Sequence, residues 1–497
     1  MKTVILSAVL AGGVDAFWRM ECHSRTGYSR LDPIINAGEI SSHAHAFHGG
    51  NNINMNTKYA DLRDSDCTSC LATDDKSAYW TPGLMFQYTN GTTEIVPQIG
   101  GMLAYYLLFS NAGETIETFP EGFQMVTGDN RLRNFTGTVP DPEKSLWTAA
   151  DKTQLALGQK AIGMNCLDYS KTPEPSMYRH FLPDKAYLDA NCANGIRAEI
   201  FFPSCWNGKD LDSDDHKSHV AYPDLVNGGD CPKGFEHRIP SLFFETIWNT
   251  NAFKGVDGTF VFANGDPTGY GYHADFMNGW STDILSQAIK TCTNASGNLK
   301  DCPVFNLQTE AEADKCKYEE PLELLSDLCL GPADGLCGNI EISYGPAYAP
   351  MLTPGKTESP TSKPTSTRSS TTAVVPTLSH TSATKTGGAI TVLNAAQASL
   401  QAEVSNAAPA SSAEPSADIK KADVSSKVSS KAAVTSAPVA SSADNGSIIS
   451  TSTFTSKGVV YHVAIEEIAV TVTATPTAAP KAKRHEHHVR QHLHRMH

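Results

Sequence analysis

Twelve cysteines constrain the fold of this 497-residue chain more than any other sequence feature. All of them lie between Cys22 and Cys337, and their even number is typical of a disulfide framework formed in an oxidising compartment. Cys67 and Cys70 have the spacing of a redox motif, but among ten other cysteines we interpret them as part of the framework. The cysteines therefore predict a disulfide-stapled, exported domain.

The first 16 residues agree with export. One lysine, an apolar run of about a dozen residues and a small-residue ending at Ala16 are typical of a secretory signal peptide. No later run reaches the roughly 20 apolar residues of a membrane span, so we predict no transmembrane segment. The glycosylation sequons are those at Asn90, Asn134, Asn294 and Asn445. We therefore predict a secreted glycoprotein, located in the extracellular space or the cell wall.

The composition of the chain changes near residue 346. All six tryptophans and all twelve cysteines precede this point, whereas Ser, Thr, Ala and Pro dominate after it. Such a segment cannot bury enough apolar surface to fold, so we predict a disordered, O-glycosylated stalk. The predicted divisions are a signal peptide (1–16), a globular disulfide-rich domain (17–345), the stalk (346–458), a candidate short β segment (459–475) and a basic, His-rich tail (476–497).

The globular part is predicted to be mainly β. Aromatic and β-branched runs followed by turn residues predict strands over residues 102–109, 196–202, 242–248 and 258–262. A cap and an apolar spacing predict a helix over residues 281–292, and residues 152–164 predict a second helix. We predict a β-sandwich or jelly-roll-like core with short helices and long loops.

Three segments concentrate histidine, aspartate and aromatic residues: SSHAHAFHGG (41–50), CWNGKDLDSDDHKSHVAYP (205–223) and GDPTGYGYHADFMNGW (265–280). The candidate catalytic residues in them are His43, His45, His219, His273, Asp212 and Asp275. The candidate rings for stacking on sugar are Trp206, Tyr272 and Trp280, which would otherwise belong to the core.

Two chemistries fit these residues. In the first, a divalent metal polarises a substrate oxygen or activates water, and its candidate ligands are His43, His45, His48, His216 and His219. In the second, a histidine oriented by an aspartate acts as the base, and another histidine or a tyrosine acts as the acid. A third interpretation is that the histidines only satisfy buried hydrogen bonds.

Local geometry decides which of these histidines can act together. In an extended segment, His43 and His45 would lie on one face about 6 to 7 Å apart, a spacing from which two imidazoles reach one metal ion. A short helix capped by Ser213 would place His216 and His219 on one side. Convergence of the three segments would then form one His/Asp site.

Four motifs occur in order between residues 17 and 344: FWRMECHSRTGYSRLDPIINAGEISSHAHAFHGG, IFFPSCWNGKDLDSDDHKSHVAYP, HRIPSLFFETIW and GDPTGYGYHADFMNGW. Together they resemble a fungal secreted family with a domain of unknown function, some members of which carry WSC modules linked to cell-wall carbohydrate. The resemblance implies fungal secretion and brings no established reaction. This chain has a Ser/Thr-rich region in place of an evident WSC module.

These observations support two functional hypotheses. The first is a secreted or cell-wall-associated fungal enzyme, a hydrolase or lyase that acts on polysaccharide through the His/Asp site, with a divalent metal as candidate cofactor. The second is a non-catalytic cell-wall glycoprotein that binds glycan or a partner and whose histidines are structural. The net charge of −14 argues against nucleic acid as a partner. Imidazoles converging on one solvent-reachable cavity would favour the first hypothesis.

Overall fold

A computed structural model describes residues 16–354, 447–456 and 459–467 of the chain. The predicted signal peptide up to residue 15 lies outside the described residues, as do residues 355–446 and 457–458 of the predicted stalk and everything after residue 467. Two compact units are distinguished, residues 1–410 and residues 411–497. The site described below lies in the first unit.

The first unit contains seventeen described strands and five described α-helices. The strands are β1 (Ala16–Cys22), β2 (Gly27–Ser29), β3 (His45–Gly49), β4 (Ala78–Pro82), β5 (Leu84–Tyr88), β6 (Thr92–Ile95), β7 (Gln98–Leu108), β8 (Gln124–Gly128), β9 (Ile162–Cys166), β10 (Ile196–Phe201), β11 (Cys205–Trp206), β12 (Val220–Ala221), β13 (His237–Arg238), β14 (Ser241–Trp248), β15 (Gly258–Phe262), β16 (His273–Met277) and β17 (Ala333–Asp334). The helices are α1 (Tyr59–Arg63), α2 (Gln154–Lys160), α3 (Lys185–Asn191), α4 (Thr282–Thr291) and α5 (Glu310–Ala313).

Two antiparallel sheets of five strands each form the body of this unit. The front sheet has the order β2-β3-β4-β16-β8, and the back sheet has the order β1-β7-β14-β10-β9. Tyr79 of the front sheet meets Phe244 of the back sheet edge-on, with ring centroids 5.4 Å apart. The Tyr79 hydroxyl also lies 2.6 Å from the hydroxyl of Tyr106 on β7. This β-sandwich confirms the predicted mainly-β class with short helices.

Smaller sheets flank the sandwich. One has the order β15-β5-β6-β17, and the other has the order β12-β11-β13. All four predicted strands are present, as β7, β10, β14 and β15, and the first predicted helix is α4. The helix predicted over 152–164 ends at Lys160, because Ile162 to Met164 pair with β10 as part of β9. Sheet pairing therefore overrides the helical pattern in that segment.

The outer face of the front sheet is also buried. Phe47 and Trp80 stack on this face with ring centroids 5.1 Å apart, and they belong to a hydrophobic cluster separate from the main core. Leu31 and Ile34, from the segment before β3, and Leu62 of α1 also belong to this cluster. Loops therefore cover the face on which the site lies.

Six disulfides pair all twelve cysteines. Cys67 bonds to Cys316 and Cys70 bonds to Cys22, so the two cysteines with redox spacing have different partners. This pairing confirms that both belong to the framework. The remaining bridges are Cys166–Cys192, Cys205–Cys231, Cys292–Cys302 and Cys329–Cys337.

The second unit contributes an antiparallel hairpin of β18 (Ser447–Ser456) and β19 (Val459–Glu467). The first strand lies within the range predicted as stalk, and the second begins where the candidate β segment was predicted. In neither unit does a described helix have both the length and the apolar composition to cross a bilayer.

Candidate functional site

Strand alternation places several polar side chains on the outer face of the front sheet. Successive side chains of a strand point to opposite faces, so His45 and Phe47 of β3 share one face, and His273 and Asp275 of β16 share one face. Because Phe47 and Asp275 both lie opposite Trp80 of β4, these two faces are the same. His43 precedes β3 with the parity of His45. Two of the three sequence segments are thereby brought together.

The imidazoles of His43, His45 and His273 form a compact cluster, here called the imidazole cluster. One nitrogen from each ring lies within 4.8 Å of the corresponding nitrogens of the other two. The Nε2 atoms of His43 and His273 are 3.0 Å apart. All three side chains are at most 5% exposed.

The Nδ1 atoms of the imidazole cluster are held by nearby groups. His45 Nδ1 lies 2.8 Å from the carbonyl oxygen of Leu31, and His273 Nδ1 lies 3.0 Å from that of Gly271. His43 Nδ1 lies 2.9 Å from the hydroxyl of Ser42. The orientation of each ring is therefore fixed at Nδ1, and among the described residues the Nε2 atoms have no hydrogen-bond partner outside the cluster.

Burial keeps these imidazoles neutral. It lowers the pKa of His45 to about 3 and that of His273 to about 4, against the opposing effect of the hydrogen bonds to the Leu31 and Gly271 carbonyl oxygens. His273 lowers the pKa of His45 further, and the positive charges of Lys217 and Arg133 do the same for His273. The pKa of His43 is held well below its ordinary value by burial and by the two neighbouring imidazoles. Neutral imidazole is the form that binds metal ions.

A cavity of about 240 Å³ opens beside the imidazole cluster. We call it the histidine cavity, and the residues that matter for its chemistry are Asp32, Ser42, His43, Lys217, His273 and Asp275. Asp275 is 1% exposed, and neither of its carboxylate oxygens has a hydrogen-bond partner among the described residues. Burial and the neighbouring Asp32 raise the pKa of Asp275, and burial raises that of Asp32 to about 6.

The second sequence segment forms a wall of this cavity through a residue that the sequence did not single out. The helix predicted over residues 213–219 is wrong, because the chain turns there and His216 has a left-handed φ of 57°. The main-chain N–H of Val126 donates to the carbonyl oxygen of His216, which ties the turn to β8. Lys217 follows this turn, lines the cavity and donates to the carbonyl oxygen of Gly128.

The other candidates from that segment do not line the cavity. His219 Nε2 donates to the carbonyl oxygen of Gln124, 2.9 Å away. Asp212 accepts from His216 Nδ1 at 2.8 Å and from the side-chain amide of Gln124. Both side chains therefore have a structural role, because their hydrogen bonds to Gln124 hold the turn against β8.

The remaining candidates lie elsewhere in the fold. His48 faces the sandwich interior, where its Nε2 lies 3.2 Å from the side-chain nitrogen of Gln98 on the back sheet. Tyr272 and Trp280 are fully buried in the main core, and Trp206 is 8% exposed. These rings are therefore core aromatics, and none of them has an open face on which a sugar could stack.

A larger cavity of about 310 Å³ lies beside the back sheet. Its charged side chains are already paired: Arg197 bonds to Glu199, and Glu174 bonds to Arg179. A second group with metal-ligand spacing contains Cys329 and Cys337, which are disulfide-bonded and so cannot act as thiolate ligands. The histidine cavity differs from both because it contains the Asp275 carboxylate, whose two oxygens have no hydrogen-bond partner among the described residues.

Three of the six cavity residues named above, Asp32, Ser42 and Lys217, were absent from the sequence-based candidates, although Ser42 is the neighbour of His43 in the first segment. Asp32 is the first residue of the DPIINAG stretch, which lies just before the first His-containing segment (41–50) and outside all three segments. Lys217 stands inside the segment chosen for its histidines. Its position between His216 and His219 was the only sequence signal that it belongs to the site. The turn directs Lys217 to the cavity, whereas the two histidines do not line it.

The fold and the site define a disulfide-stapled β-sandwich protein with a buried cluster of imidazoles beside carboxylates. A family model described as "Domain of unknown function (DUF1996)" matches residues 32–280, which is half of the 497-residue chain. The chain belongs to this family. The matched range begins at Asp32 and includes every one of the six cavity residues named above. No curated protein and no solved structure matches the chain.

Proposed function

We propose that the protein is a secreted enzyme of the fungal cell wall or its surroundings that cleaves polysaccharide, as a hydrolase or a lyase, in the histidine cavity. The observation that carries this proposal is the buried carboxylate of Asp275, which has no hydrogen-bond partner among the described residues and lines one cavity with His43 and Lys217 from two other segments of the chain. Buried polar atoms without partners are costly, and they persist mainly where function requires them.

The arrangement suits bond cleavage in a carbohydrate. The unpaired carboxyl group of Asp275 can move a proton to or from a substrate oxygen or carbon, next to the imidazoles that complete the His/Asp site. Lys217 supplies a positive charge for an anionic group or a developing oxyanion. The cavity is at the small end of ligand pockets, which is consistent with binding one sugar unit of a chain.

The disulfides and the exposed glycosylation sequons support an extracellular location for this activity. Six disulfides require an oxidising compartment. Asn90, Asn134 and Asn294, the sequon residues with described side chains, are all exposed to solvent and therefore accessible to glycosylation.

The test uses the purified full-length glycoprotein and a panel of purified cell-wall polysaccharides. New reducing ends report cleavage of either kind, and the ultraviolet absorbance of an unsaturated product reports elimination. We expect Asp275→Asn to lower the rate by about a hundredfold or more, since acid–base groups contribute on that scale.

Asp75→Asn is the matched control, because Asp75 is a fully buried aspartate that does not line the cavity. It should retain the wild-type rate at a temperature where both variants are folded. Binding of a polysaccharide without cleavage would instead support the glycan-binding glycoprotein. Equal rates for wild type and Asp275→Asn would refute the assignment of the site.

A further inference from the structure

We propose that His43, His45 and His273 hold one divalent transition metal ion, with Zn²⁺ as the ion that best suits three imidazoles and an open fourth position. The ion would lie between the imidazole cluster and the histidine cavity. This inference rests on the location of the proposed active site and makes the enzyme a metalloenzyme. It does not depend on which polysaccharide is cleaved.

The imidazole cluster has too few N–H groups for every one of its ring nitrogens to take part in a hydrogen bond. A carbonyl oxygen only accepts, so the Nδ1 atoms of His45 and His273 must carry the protons that they share with Leu31 and Gly271. A neutral imidazole has one N–H, and the Nε2 atoms of both rings are therefore bare lone pairs. Two lone pairs then converge inside the protein.

His43 can satisfy only one of these lone pairs. If its Nε2 carries a proton, that N–H donates to His273 Nε2 at 3.0 Å. His45 Nε2 is then left without a donor, and it has no hydrogen-bond partner among the described residues. A buried acceptor of this kind costs about 1 to 3 kcal/mol. A metal ion removes the deficit, because all three Nε2 lone pairs can bind it.

The spacing of the nitrogens is compatible with one ion. Nitrogen ligands about 2.0 to 2.1 Å from zinc lie about 3.3 Å from one another in a tetrahedral site. The Nε2 atoms of His43 and His273 are 3.0 Å apart, and one nitrogen from each of the three rings lies within 4.8 Å of the others. Small rotations of the rings about positions already fixed at Nδ1 would complete the geometry.

The surroundings match those of metal-binding histidines. Such histidines usually donate Nδ1–H to a backbone carbonyl or another acceptor, which orients the ring and raises its basicity. Leu31, Gly271 and Ser42 provide this second layer here. Three nitrogens and no carboxylate among the close ligands favour zinc over Mg²⁺ and Ca²⁺, which prefer oxygen.

Asparagine variants provide a test that spares the fold. The side-chain NH₂ of asparagine occupies nearly the position of imidazole Nδ1, so His45→Asn and His273→Asn keep the bonds to Leu31 and Gly271 and remove only Nε2. His180→Asn is the matched control. His180 is buried, its Nδ1 lies 2.6 Å from the carbonyl oxygen of Ile162, and it neither belongs to the cluster nor lines the histidine cavity.

Zinc binding is measured by calorimetric titration of chelator-treated, full-length protein with ZnCl₂ at neutral pH. The six histidines of residues 485–497 offer other zinc ligands, so the quantity compared is the difference between wild type and each variant. We expect wild type and His180→Asn to bind one more zinc ion than His45→Asn and His273→Asn. The affinity of the cluster should fall by more than about a hundredfold in those two variants. MgCl₂ and CaCl₂ should not occupy the site.

Circular dichroism checks before titration that each variant is folded. If His45→Asn does not fold, the comparison with wild type uses His273→Asn alone. Equal zinc binding by wild type and both variants would refute the metal centre, whatever the enzymatic activity. Loss of one zinc ion in the variants, with no polysaccharide cleaved by any form, would uphold the metal centre and refute only the proposed function.

Discussion

Gly128 gives a way to disturb the imidazole cluster without removing a ligand. This residue ends β8 directly opposite His273 on β16, and its φ is +80°. A Cβ atom added here would lie 2.4 Å from the carbonyl oxygen of Tyr272 and 2.8 Å from the Cα of His273. Both atoms belong to the backbone, so neither can turn aside as a flexible side chain could. We predict that Gly128→Ala moves His273.

Two terms set the magnitude of the effect. A left-handed backbone conformation costs alanine about 1 to 2 kcal/mol relative to glycine. Relieving the overlap with β16 costs about 1 to 3 kcal/mol more, as in other overpacked sites. Ordinary contacts begin at 3.4 Å, so the Cα of His273 must retreat by roughly half an ångström. Metal ligands tolerate only about 0.2 Å, so zinc affinity should fall by about ten- to a hundredfold.

Gly113→Ala is the control for the first term alone. Gly113 has a similar φ of +89°, but an added Cβ meets nothing within 4 Å. It should lose about 1 to 2 kcal/mol of unfolding free energy and bind zinc as tightly as wild type. Urea unfolding and zinc titration of both variants measure the two effects. If Gly128→Ala matches Gly113→Ala in stability and in zinc affinity, the packing argument is wrong.

Two further predictions concern stability. Burial raises the pKa of Asp75 to about 6, so its stabilising contribution is present below about pH 4 and is lost as the pH rises through 6. The unfolding free energy of wild type relative to Asp75→Asn, measured by urea unfolding, should fall by about 2 kcal/mol between pH 4 and pH 7. A difference in unfolding free energy that is the same at pH 4 and pH 7 would contradict this. Replacing Cys67 and Cys316 by serine opens a loop of 249 residues, against 26 for Cys205 and Cys231. Chain entropy predicts a larger loss for the first pair by about 2 kcal/mol, measured in the same way, and equal losses would contradict it.

The strands of the sandwich could be predicted because their signal is local. Runs such as residues 242–248 combine aromatic and β-branched side chains that suit a pleated surface, and they form β14. The pairing of these strands is not local. The front sheet places β16 between β4 and β8, which lie more than 140 residues earlier in the chain, and no single-sequence pattern encodes that order.

The part of the candidate site that depends on the alternation of side chains along a strand could be predicted from the sequence. His43 and His45 share a face because they are two residues apart, and the same holds for His273 and Asp275. Their convergence required the two strands to flank β4, which the sequence could suggest only as a hypothesis.

The contribution of the second segment depended on backbone conformation. A helix would have presented His216 and His219 together, but the positive φ of His216 reverses the chain and brings Lys217 to the cavity instead. Turn conformations of this kind are set by tertiary hydrogen bonds, here between Val126 and His216. Asp32 joins the site for a similar reason, because the loop that carries it covers the outer face of the front sheet.

X-ray absorption at the zinc edge of the zinc-loaded protein identifies the atoms that bind the ion in the proposed metal centre. We predict that the zinc ion lost on His45→Asn substitution has three imidazole nitrogens at about 2.0 to 2.1 Å in the wild type. A wild-type spectrum that shows only oxygen ligands, or one that is unchanged in His45→Asn, would contradict it.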